Sequence, residues 1–378
     1  KGANTHVIVT EYDLPRKIIE PHDVILDRDG QVWYSSFGEQ AVGRMDPVTG
    51  KLTEFNIPVQ KPGWPMGELG LQEDHDGNLW FGMTYQAGMA KFDRKTEQFT
   101  IIHPPEEYSK DMTQINMSAP QSSHVDGKVW SQNNGFAVMH RYDLASGKIE
   151  TFAPFKDSKV GENHNIYDII PDAKNNLYFT DFANQHIGYL DASTGKVEMW
   201  PTPTKNSAPR RGQIDRDGNV WFGEYHGNKI GFLDTKTKTF KEWEPPTPWS
   251  SPYDAVMDKT GHVWTGSMAT DIVVRLDPKT GKLVPGLATE WAWEEDKTAY
   301  RVKLRANVPF HGGKWGNFGP QDLIGQWQEL IAQDTRHGQN TYWRGALKAI
   351  DVISDTEVLY RLNAPDSQFV AALSETQG

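Results

Sequence analysis

The 378-residue chain contains no cysteine, which excludes a disulfide framework, a thiolate metal site and a cysteine nucleophile. It also lacks any apolar stretch near the roughly 18 residues that a membrane-spanning helix requires. Its N-terminal KGANTHVIVTEYDLP does not have the charged-then-apolar layout of a secretion signal. Basic charge is scarce as well, because the net charge is −11 and no Lys/Arg-rich run offsets it. We therefore expect neither a membrane span nor a nucleic-acid partner.

Common catalytic motifs are missing too. The 12 histidines show no HExxH or HxxxH spacing, and the chain has no GxSxG elbow, GxxxxGK[ST] loop or GxGxxG. Glu224 and His226 in EYHGNK lie two residues apart, and we interpret them as part of a hydrogen-bonded turn rather than as an acid–base pair. For His164 in GENHNIYD two interpretations are open, a residue that faces the channel and, as the commoner outcome, a histidine of a surface loop.

What the sequence does contain is one unit repeated six times. Each copy has an apolar stretch, an Asp-x-Asp-Gly turn or a relative of it, an aromatic pair, an apolar-x-Asp strand end, and a Thr-Gly turn before an aromatic strand. Clear copies are DVILDRDGQVWYSSFGEQAVGRMDPVTGKLTEFNIP (23–58) and GQIDRDGNVWFGEYHGNKIGFLDTKTKTFKEWEPP (212–246). The repeated aromatic recurs every 43 to 50 residues, at Trp33, Trp80, Trp130, Tyr178, Trp221 and Trp264. This period is typical of propeller blades with four strands each.

The runs of Val, Ile, Phe, Tyr and Trp between these turns predict four strands per unit, which we term a to d. We expect the recurrent tryptophan to pack between neighbouring blades. The N-terminal VIVTEYDLP (7–15) reads as a strand d without its a, b and c, and it would complete the last blade and leave no free sheet edge. Strand counting alone predicts six blades. The expected fold is thus mainly β, a β-propeller over residues 1–283.

The stretches EPHDVILDRDGQVWYSSFGEQAVGRMDPVTG and DFANQHIGYLDASTG resemble the streptogramin B lyase-like propeller family, and the likeness extends over about residues 6–283. The resemblance implies a seven-bladed propeller. It also implies a magnesium-dependent carbon–oxygen lyase that opens a cyclic depsipeptide at an ester. In that family, histidines in Pro-His steps at the start of strand a, with nearby acidic residues, act at one mouth of the channel.

Only part of that pattern is present. The Pro-His step occurs once, at Pro21-His22, and its equivalents in the last three units are Tyr167, Arg210 and Tyr253. The resemblance makes His22 and Glu224 the catalytic candidates, and Asp181 and Glu224 the candidate ligands of a magnesium ion. The ligand-binding candidates are His22, Asp23, Tyr167, Asp168, Asp181, Arg211, Glu224, Tyr253 and Asp254. The alternative is that these inward charges are solvated or paired with Arg210 and Arg211.

The last quarter of the chain follows a different pattern. Residues 288–313 predict two alternating strands, GPQDLIGQWQELIAQD (319–334) predicts a helix, and ALKAIDVISDTEVLYRLNAP (346–365) predicts a hairpin that turns at Ser354-Asp355. A further helix is expected at SQFVAALSE. This order resembles the family 5 extracellular solute-binding proteins of ABC transporters over about residues 273–373. We therefore expect an α+β segment over residues 284–378 that corresponds to part of one lobe.

The stretch VVRLDPKTGKLVPGLATEW (273–291) fits both resemblances. Our hypothesis is a join, a chimera of a propeller and a fragment of a solute-binding protein, and the alternative is a genuine fusion whose tail pairs onto the propeller. The expected function is a lyase-like propeller that binds a small ligand or metal at its channel mouth without full lyase chemistry. The alternatives are a metal-dependent lyase on a cyclic depsipeptide or related ester, and a solute-binding component of an ABC transporter. A cysteine-free chain suits a periplasmic or extracellular protein.

Overall fold

The computed structural model describes residues 12–16, 19–110, 114–245, 249–269, 273–279, 282–283, 288–309, 316–333, 340–366 and 369. They divide into two compact units. The blade unit comprises Tyr12–Glu244 and Ser251–Met257, and the C-terminal unit comprises the described residues of Pro245–Ser250 and Asp258–Gly378. The predicted strand VIVTEYDLP lies mostly outside the described residues, so ring closure stays a prediction.

The blade unit contains five four-stranded antiparallel sheets, whose strands follow one another in the predicted order a, b, c, d. Blade 1 consists of β1 (Pro21–Leu26), β2 (Val32–Ser36), β3 (Ala41–Met45) and β4 (Leu52–Asn56). Blade 2 consists of β5 (Glu68–Glu73), β6 (Leu79–Met83), β7 (Gly88–Asp93) and β8 (Gln98–Ile102). Blade 3 consists of β9 (Ser118–Ala119), β10 (Lys128–Asn133), β11 (Val138–Asp143) and β12 (Ile149–Phe152).

The same arrangement continues through the next two repeats. Blade 4 consists of β13 (Ile166–Pro171), β14 (Leu177–Asp181), β15 (His186–Leu190) and β16 (Val197–Pro201). Blade 5 consists of β17 (Pro209–Ile214), β18 (Val220–Glu224), β19 (Lys229–Asp234) and β20 (Thr239–Trp243). A short 3₁₀ turn at Glu106–Tyr108 precedes blade 3, another at Ser123–Val125 lies between β9 and β10, and β21 (Val256–Met257) ends the unit. The predicted propeller of four-stranded blades is confirmed.

An aspartate fixes the a–b turn of several blades. In blade 2, Asp74 Oδ1 accepts the backbone N–H groups of Asp76 (2.9 Å) and Asn78 (2.8 Å), and its Oδ2 accepts the indole N–H of buried Trp80 (2.9 Å). We call this arrangement the aspartate–tryptophan clasp. Burial raises the pKa of Asp74, but these hydrogen bonds outweigh it and hold the pKa below its usual value. The clasp recurs at the pairs Asp27–Trp33, Asp215–Trp221 and Asp258–Trp264.

The recurrent aromatics also join neighbouring blades. Trp33 of blade 1 is 1% exposed and packs on Phe92 of blade 2, with 5.7 Å between ring centroids. Trp130 of blade 3 donates its indole N–H to the carbonyl oxygen of Asn175 in blade 4 (3.1 Å). The predicted packing between blades is therefore confirmed at these two positions.

The C-terminal unit begins with the last strands of the sixth repeat, β22 (Val263–Gly266), β23 (Val273–Asp277) and β24 (Lys282–Leu283). An antiparallel sheet of order β25-β26-β30-β29 follows, from β25 (Ala288–Trp293), β26 (Ala299–Leu304), β29 (Leu347–Ser354) and β30 (Glu357–Leu362). The chain between β26 and β29 contains β27 (Val308–Pro309), β28 (Asn317–Phe318), α1 (Pro320–Ile331) and α2 (Asn340–Ala346). The sheet and helices share a core that includes Trp343, Tyr360 and Phe369.

The predicted strands, first helix and hairpin of this unit are confirmed. The carboxylate of Asp322 accepts the backbone N–H of Gly319 (2.7 Å), which stabilises the start of α1. The sequence pattern did not predict α2, and the helix expected at SQFVAALSE lies mostly outside the described residues. None of the helices in the described part of the chain is long and apolar enough to cross a membrane.

Replacing Asp74 by alanine tests the clasp. The change leaves the indole of Trp80 and two backbone N–H groups without their acceptor, so the free energy of unfolding should fall by about 3 kcal/mol in urea titrations. Asp76→Ala, in the same turn but with a largely exposed side chain, should change it by about 0.5 kcal/mol or less. Equal losses in the two variants would contradict the assignment.

Candidate functional site

The starts of the a strands bring three residues from distant repeats into contact. The hydroxyl oxygen of Tyr253 lies 2.8 Å from the hydroxyl oxygen of Tyr167 and 3.2 Å from Nε2 of His22. These are the positions that sequence analysis aligned with the Pro-His step. We call the surrounding group the mouth cluster, and its members are His22, Asp23, Tyr167, Arg210, Arg211 and Tyr253.

Arg210 occupies an aromatic cage within this cluster. Its guanidinium carbon lies 4.1 Å from the ring centroid of Tyr253, 4.7 Å from Tyr167, 4.8 Å from Tyr225 and 5.2 Å from Phe182. Its Nη2 donates to the Tyr167 hydroxyl (2.9 Å). Each ring presents its negative face to the cation, so the arginine fixes the orientation of all four rings.

Asp23 anchors the other side of the cluster. Its Oδ1 accepts from Arg211 Nη1 (2.6 Å) and contacts His22 Nδ1 (2.8 Å), while its Oδ2 accepts the backbone N–H of Leu71 in blade 2 (3.1 Å). Burial raises the pKa of Asp23, but the nearby Arg211 and His22 lower it by a larger amount. The pKa therefore lies below its usual value, and the carboxyl is ionised at neutral pH. The alternative that these carboxylates are paired with arginine is confirmed for Asp23 and Arg211.

These contacts define a directional chain of donors. An ionised carboxylate only accepts hydrogen bonds, so the hydrogen between Asp23 and His22 belongs to Nδ1, and the tautomer with its single proton on Nδ1 has Nε2 as an acceptor. Burial raises the pKa of Tyr253, so its hydroxyl stays protonated and donates to that Nε2. Tyr167 can then donate to Tyr253 while accepting from Arg210. The cluster is therefore a single polar network that extends over several blades.

Asp168 joins blades 4 and 5. Its Oδ2 accepts the backbone N–H of Gly212 (2.9 Å), and its Oδ1 accepts that of Ile169 (2.9 Å). Complete burial raises its pKa to about 6, against the opposing effect of Arg211. These contacts give Asp168 a structural role between the blades.

Asp181 is likewise occupied by protein groups. Its Oδ2 lies 2.7 Å from His164 Nδ1 and 3.4 Å from His186 Nδ1, and its Oδ1 accepts the backbone N–H of Asn165 (3.0 Å). The His164 ring stacks on Phe155 with 4.2 Å between centroids, and its side chain is only 8% exposed. The interpretation of His164 as a surface-loop histidine was therefore wrong, because an aspartate at the end of strand b provides a buried partner.

Glu224 is fully buried at the end of β18. Burial raises its pKa to about 9, and the adjacent carboxylate of Glu242 adds to the effect. The carboxylate of Glu242 accepts a hydrogen bond from Lys229 Nζ (2.7 Å). Burial raises the pKa of Glu242, but this hydrogen bond and others lower that pKa by a larger amount. Glu224 is thus protonated at neutral pH. His226, two residues after Glu224, is exposed, and its backbone N–H donates to the carbonyl oxygen of Ser207 (3.0 Å).

The candidate magnesium ligands do not fit the ion. Magnesium takes six oxygen ligands in a near-ideal octahedron, drawn from ionised carboxylates, phosphates and water. Asp181 is held by two imidazoles and a backbone N–H, and Glu224 is fully buried. Within the described residues, no group of three or more His, Asp or Glu side chains could hold a metal ion.

The structure thus divides the predicted site residues into three groups. His22, Asp23, Tyr167, Arg211 and Tyr253 meet in one network, Asp168 and Asp181 serve contacts within the fold, and Glu224 is buried and neutral. Asp254 follows Tyr253 and is half-buried. Sequence reasoning left out Arg210, Phe182 and Tyr225 as site residues. The signal for Arg210 was its place in the Pro-His alignment, whereas the two rings had no comparable signal.

Two family models match this chain. The SMP-30/Gluconolactonase/LRE-like region matches residues 169–290, and the family 5 middle region of bacterial extracellular solute-binding proteins matches residues 282–378. The two matches overlap at 282–290, inside the stretch that fits both resemblances. The chain is also similar to a probable di/tripeptide-binding protein 5 of Pseudomonas aeruginosa (strain UCBPP-PA14). The identity is 27% over an alignment of 118 residues, and the match covers 27% of this chain and 22% of the relative. The chain therefore spans about a fifth of that relative's length.

Solved structures match the propeller. A streptogramin B lyase structure is 23% identical, with a TM-score of 0.60, and the match covers 78% of this chain and 94% of that one. A catalytically inactive virginiamycin B lyase from Staphylococcus aureus with quinupristin is 19% identical, with a TM-score of 0.61, and the match covers 78% and 95%. At these identities the likeness shows a shared propeller fold.

Replacing Glu224 by glutamine tests its protonation. Because the folded-state pKa is about 9 and the unfolded value about 4.3, the wild-type chain loses stability as pH rises from about 4.5 to 9. Glutamine removes this cost, so Glu224→Gln should raise the free energy of unfolding by about 3–4 kcal/mol near pH 7 and leave it about equal to wild type near pH 4. Urea titrations across this range measure the difference. Exposed Glu107→Gln should show no such trend, and a destabilised Glu224→Gln at neutral pH would contradict the assignment.

Proposed function

We propose that the blade unit binds a small ligand at the mouth cluster and does not carry out the elimination chemistry of a streptogramin B lyase. The observation that carries this proposal is the Tyr253 hydroxyl, which lies between Tyr167 and His22 while its ring stacks on Arg210. A ligand carbonyl oxygen can replace one of the internal acceptors of this network, and the aromatic rings offer apolar contact. The ligand class that suits this combination is a small cyclic depsipeptide or related ester.

The propeller likeness supports this choice of ligand class. Lyases of the same fold, including one described with quinupristin, share the blade arrangement of this chain. A common fold alone leaves the chemistry open, so the residues must decide it.

Those residues favour binding over catalysis. Elimination needs a base that is free to remove a proton and a group that stabilises the developing anion. Asp23 and Tyr253 contact the two ring nitrogens of His22, and burial raises the pKa of Glu224 to about 9. The second Pro-His histidine of the lyase pattern is replaced by Tyr167, Arg210 or Tyr253. We infer that the mouth cluster orients a ligand and lacks the free base that would break its ester.

A second candidate function involves the C-terminal unit. Its match to family 5 solute-binding proteins and to a di/tripeptide-binding protein favours peptide capture for an ABC transporter. The C-terminal unit corresponds to only part of one lobe of a solute-binding protein. To bind a peptide, this chain would therefore have to form a cleft without the second lobe. Both candidates are consistent with a periplasmic or extracellular location, which we propose on the basis of the cysteine-free composition and this family likeness.

Quinupristin titration tests the first candidate. We expect quinupristin to raise the melting temperature of the full chain and to remain intact by liquid chromatography–mass spectrometry, with or without magnesium. Tyr253→Phe removes the bridging hydroxyl and should weaken binding about tenfold.

The matched control is Tyr34→Phe, whose hydroxyl contacts Glu54 in blade 1, and it should bind as wild type does. Magnesium-dependent opening of quinupristin would establish lyase chemistry, and the absence of any thermal shift would remove the mouth proposal. Stabilisation by di- or tripeptides that persists in Tyr253→Phe would favour the C-terminal unit instead.

A further inference from the structure

A separate open cavity of about 380 Å³ lies between blades 4 and 5. Its walls come from the loops before β13 and β17 and from the b–c turns of both blades. Besides two alanines, its lining residues are Asn163, Asn165, Phe182, Asn184, Asn206 and His226. From this lining we propose that the cavity binds a neutral carbohydrate ring. Its volume is within the range of about 300–1,000 Å³ that is usual for small-molecule sites.

The four asparagines have unused hydrogen-bonding capacity. Within the described residues, none of their side-chain amides forms a hydrogen bond, and Oδ1 of Asn165 is buried without a partner. A buried acceptor without a partner is costly, and one that borders a cavity can be satisfied by a ligand. Each amide offers one acceptor oxygen and two N–H donors. Neighbouring hydroxyl groups on a sugar ring, which both donate and accept, complement such a set.

Backbone hydrogen bonds fix the main chain that carries three of these asparagines. The N–H of Asn165 donates to buried Asp181 (3.0 Å), and its carbonyl oxygen accepts the N–H of Phe182 (2.8 Å). The N–H of Asn206 donates to Gln185 Oε1 (2.8 Å), and the carbonyl oxygen of Asn184 accepts the N–H of Ala208 (3.0 Å). A preformed wall reduces the entropy lost on binding.

The remaining lining residues narrow the ligand class. No Asp, Glu, Lys or Arg side chain lines the described cavity, which disfavours a charged ligand. Phe182 and His226 are the only rings in the lining, and their centroids are 6.0 Å apart. The C–H face of a pyranose can pack on such a ring while its hydroxyls reach the amides. A peptide would also pair with asparagine amides, so a small peptide is the competing probe in the experiment below.

This cavity is distinct from the mouth cluster. It contains none of the residues His22, Tyr167 and Tyr253, although Phe182 contributes to both the cavity lining and the Arg210 cage. Carbohydrate binding here therefore does not depend on the proposed function.

Titration of the full chain with methyl glycosides tests this inference. The probes are the methyl pyranosides of glucose, galactose and mannose and of N-acetylglucosamine, each raised to about 50 mM in thermal-shift and saturation-transfer NMR experiments. We expect at least one of them to bind. Asn165→Ala and Asn184→Ala should each weaken that binding about tenfold.

Asn56→Ala is the matched control, since this exposed asparagine ends β4 in blade 1, and it should leave the affinity unchanged. A second readout is quinupristin binding, which both cavity variants should retain. Absence of binding for all four glycosides would overturn the inference. Equally tight binding of N-acetyl-diglycine methylamide, or binding that survives both cavity substitutions, would overturn it as well.

Discussion

The blades depend on the hydrogen bonds that an aspartate carboxylate accepts in the a–b turn. An aspartate such as Asp74 satisfies backbone N–H groups of its own turn and a buried indole on the next strand. It therefore links the local turn to the packing of the large aromatic. Because strand pairing alternates faces, a shift of one residue in this hairpin would turn the aromatic away from the core. A fixed register in turn places the start of each strand a at the same mouth.

A second set of carboxylates connects one blade to the next. Asp23 accepts a backbone N–H from blade 2, and Asp168 of blade 4 accepts one from blade 5. The hydroxyls of Ser35 and Thr180 reinforce these links, since each donates to a carbonyl oxygen of the following blade. Asp23 and Asp168, which the sequence analysis placed among the ligand-binding candidates, therefore stabilise contacts between blades. What remains for recognition is the network of Tyr253, Tyr167 and His22, which these links hold in place.

The sequence predicted the features that repeat and missed the features that depend on neighbours in space. The period of the tryptophans and the Asp-Gly turns predicted the blades, and the helical and alternating patterns predicted most of the C-terminal unit. The cage around Arg210 could not be predicted, because Phe182 and Tyr225 reach it from different blades. The burial of Glu224 was equally invisible, since only packing determines whether an acid at a strand end meets water. The stretch at 282–290, which both family models match, is where local pattern alone cannot assign residues to one family.

The central claim is that recognition takes place at the mouth cluster of the blade unit. Amide hydrogen exchange of the full chain, followed by mass spectrometry with and without quinupristin, tests it most directly. The account predicts slower exchange on ligand addition in peptides that contain residues 21–23, 209–211 and 252–254, and unchanged exchange across 288–309 and 340–366. Protection confined to the C-terminal unit, or protection that omits all three mouth segments, would contradict it.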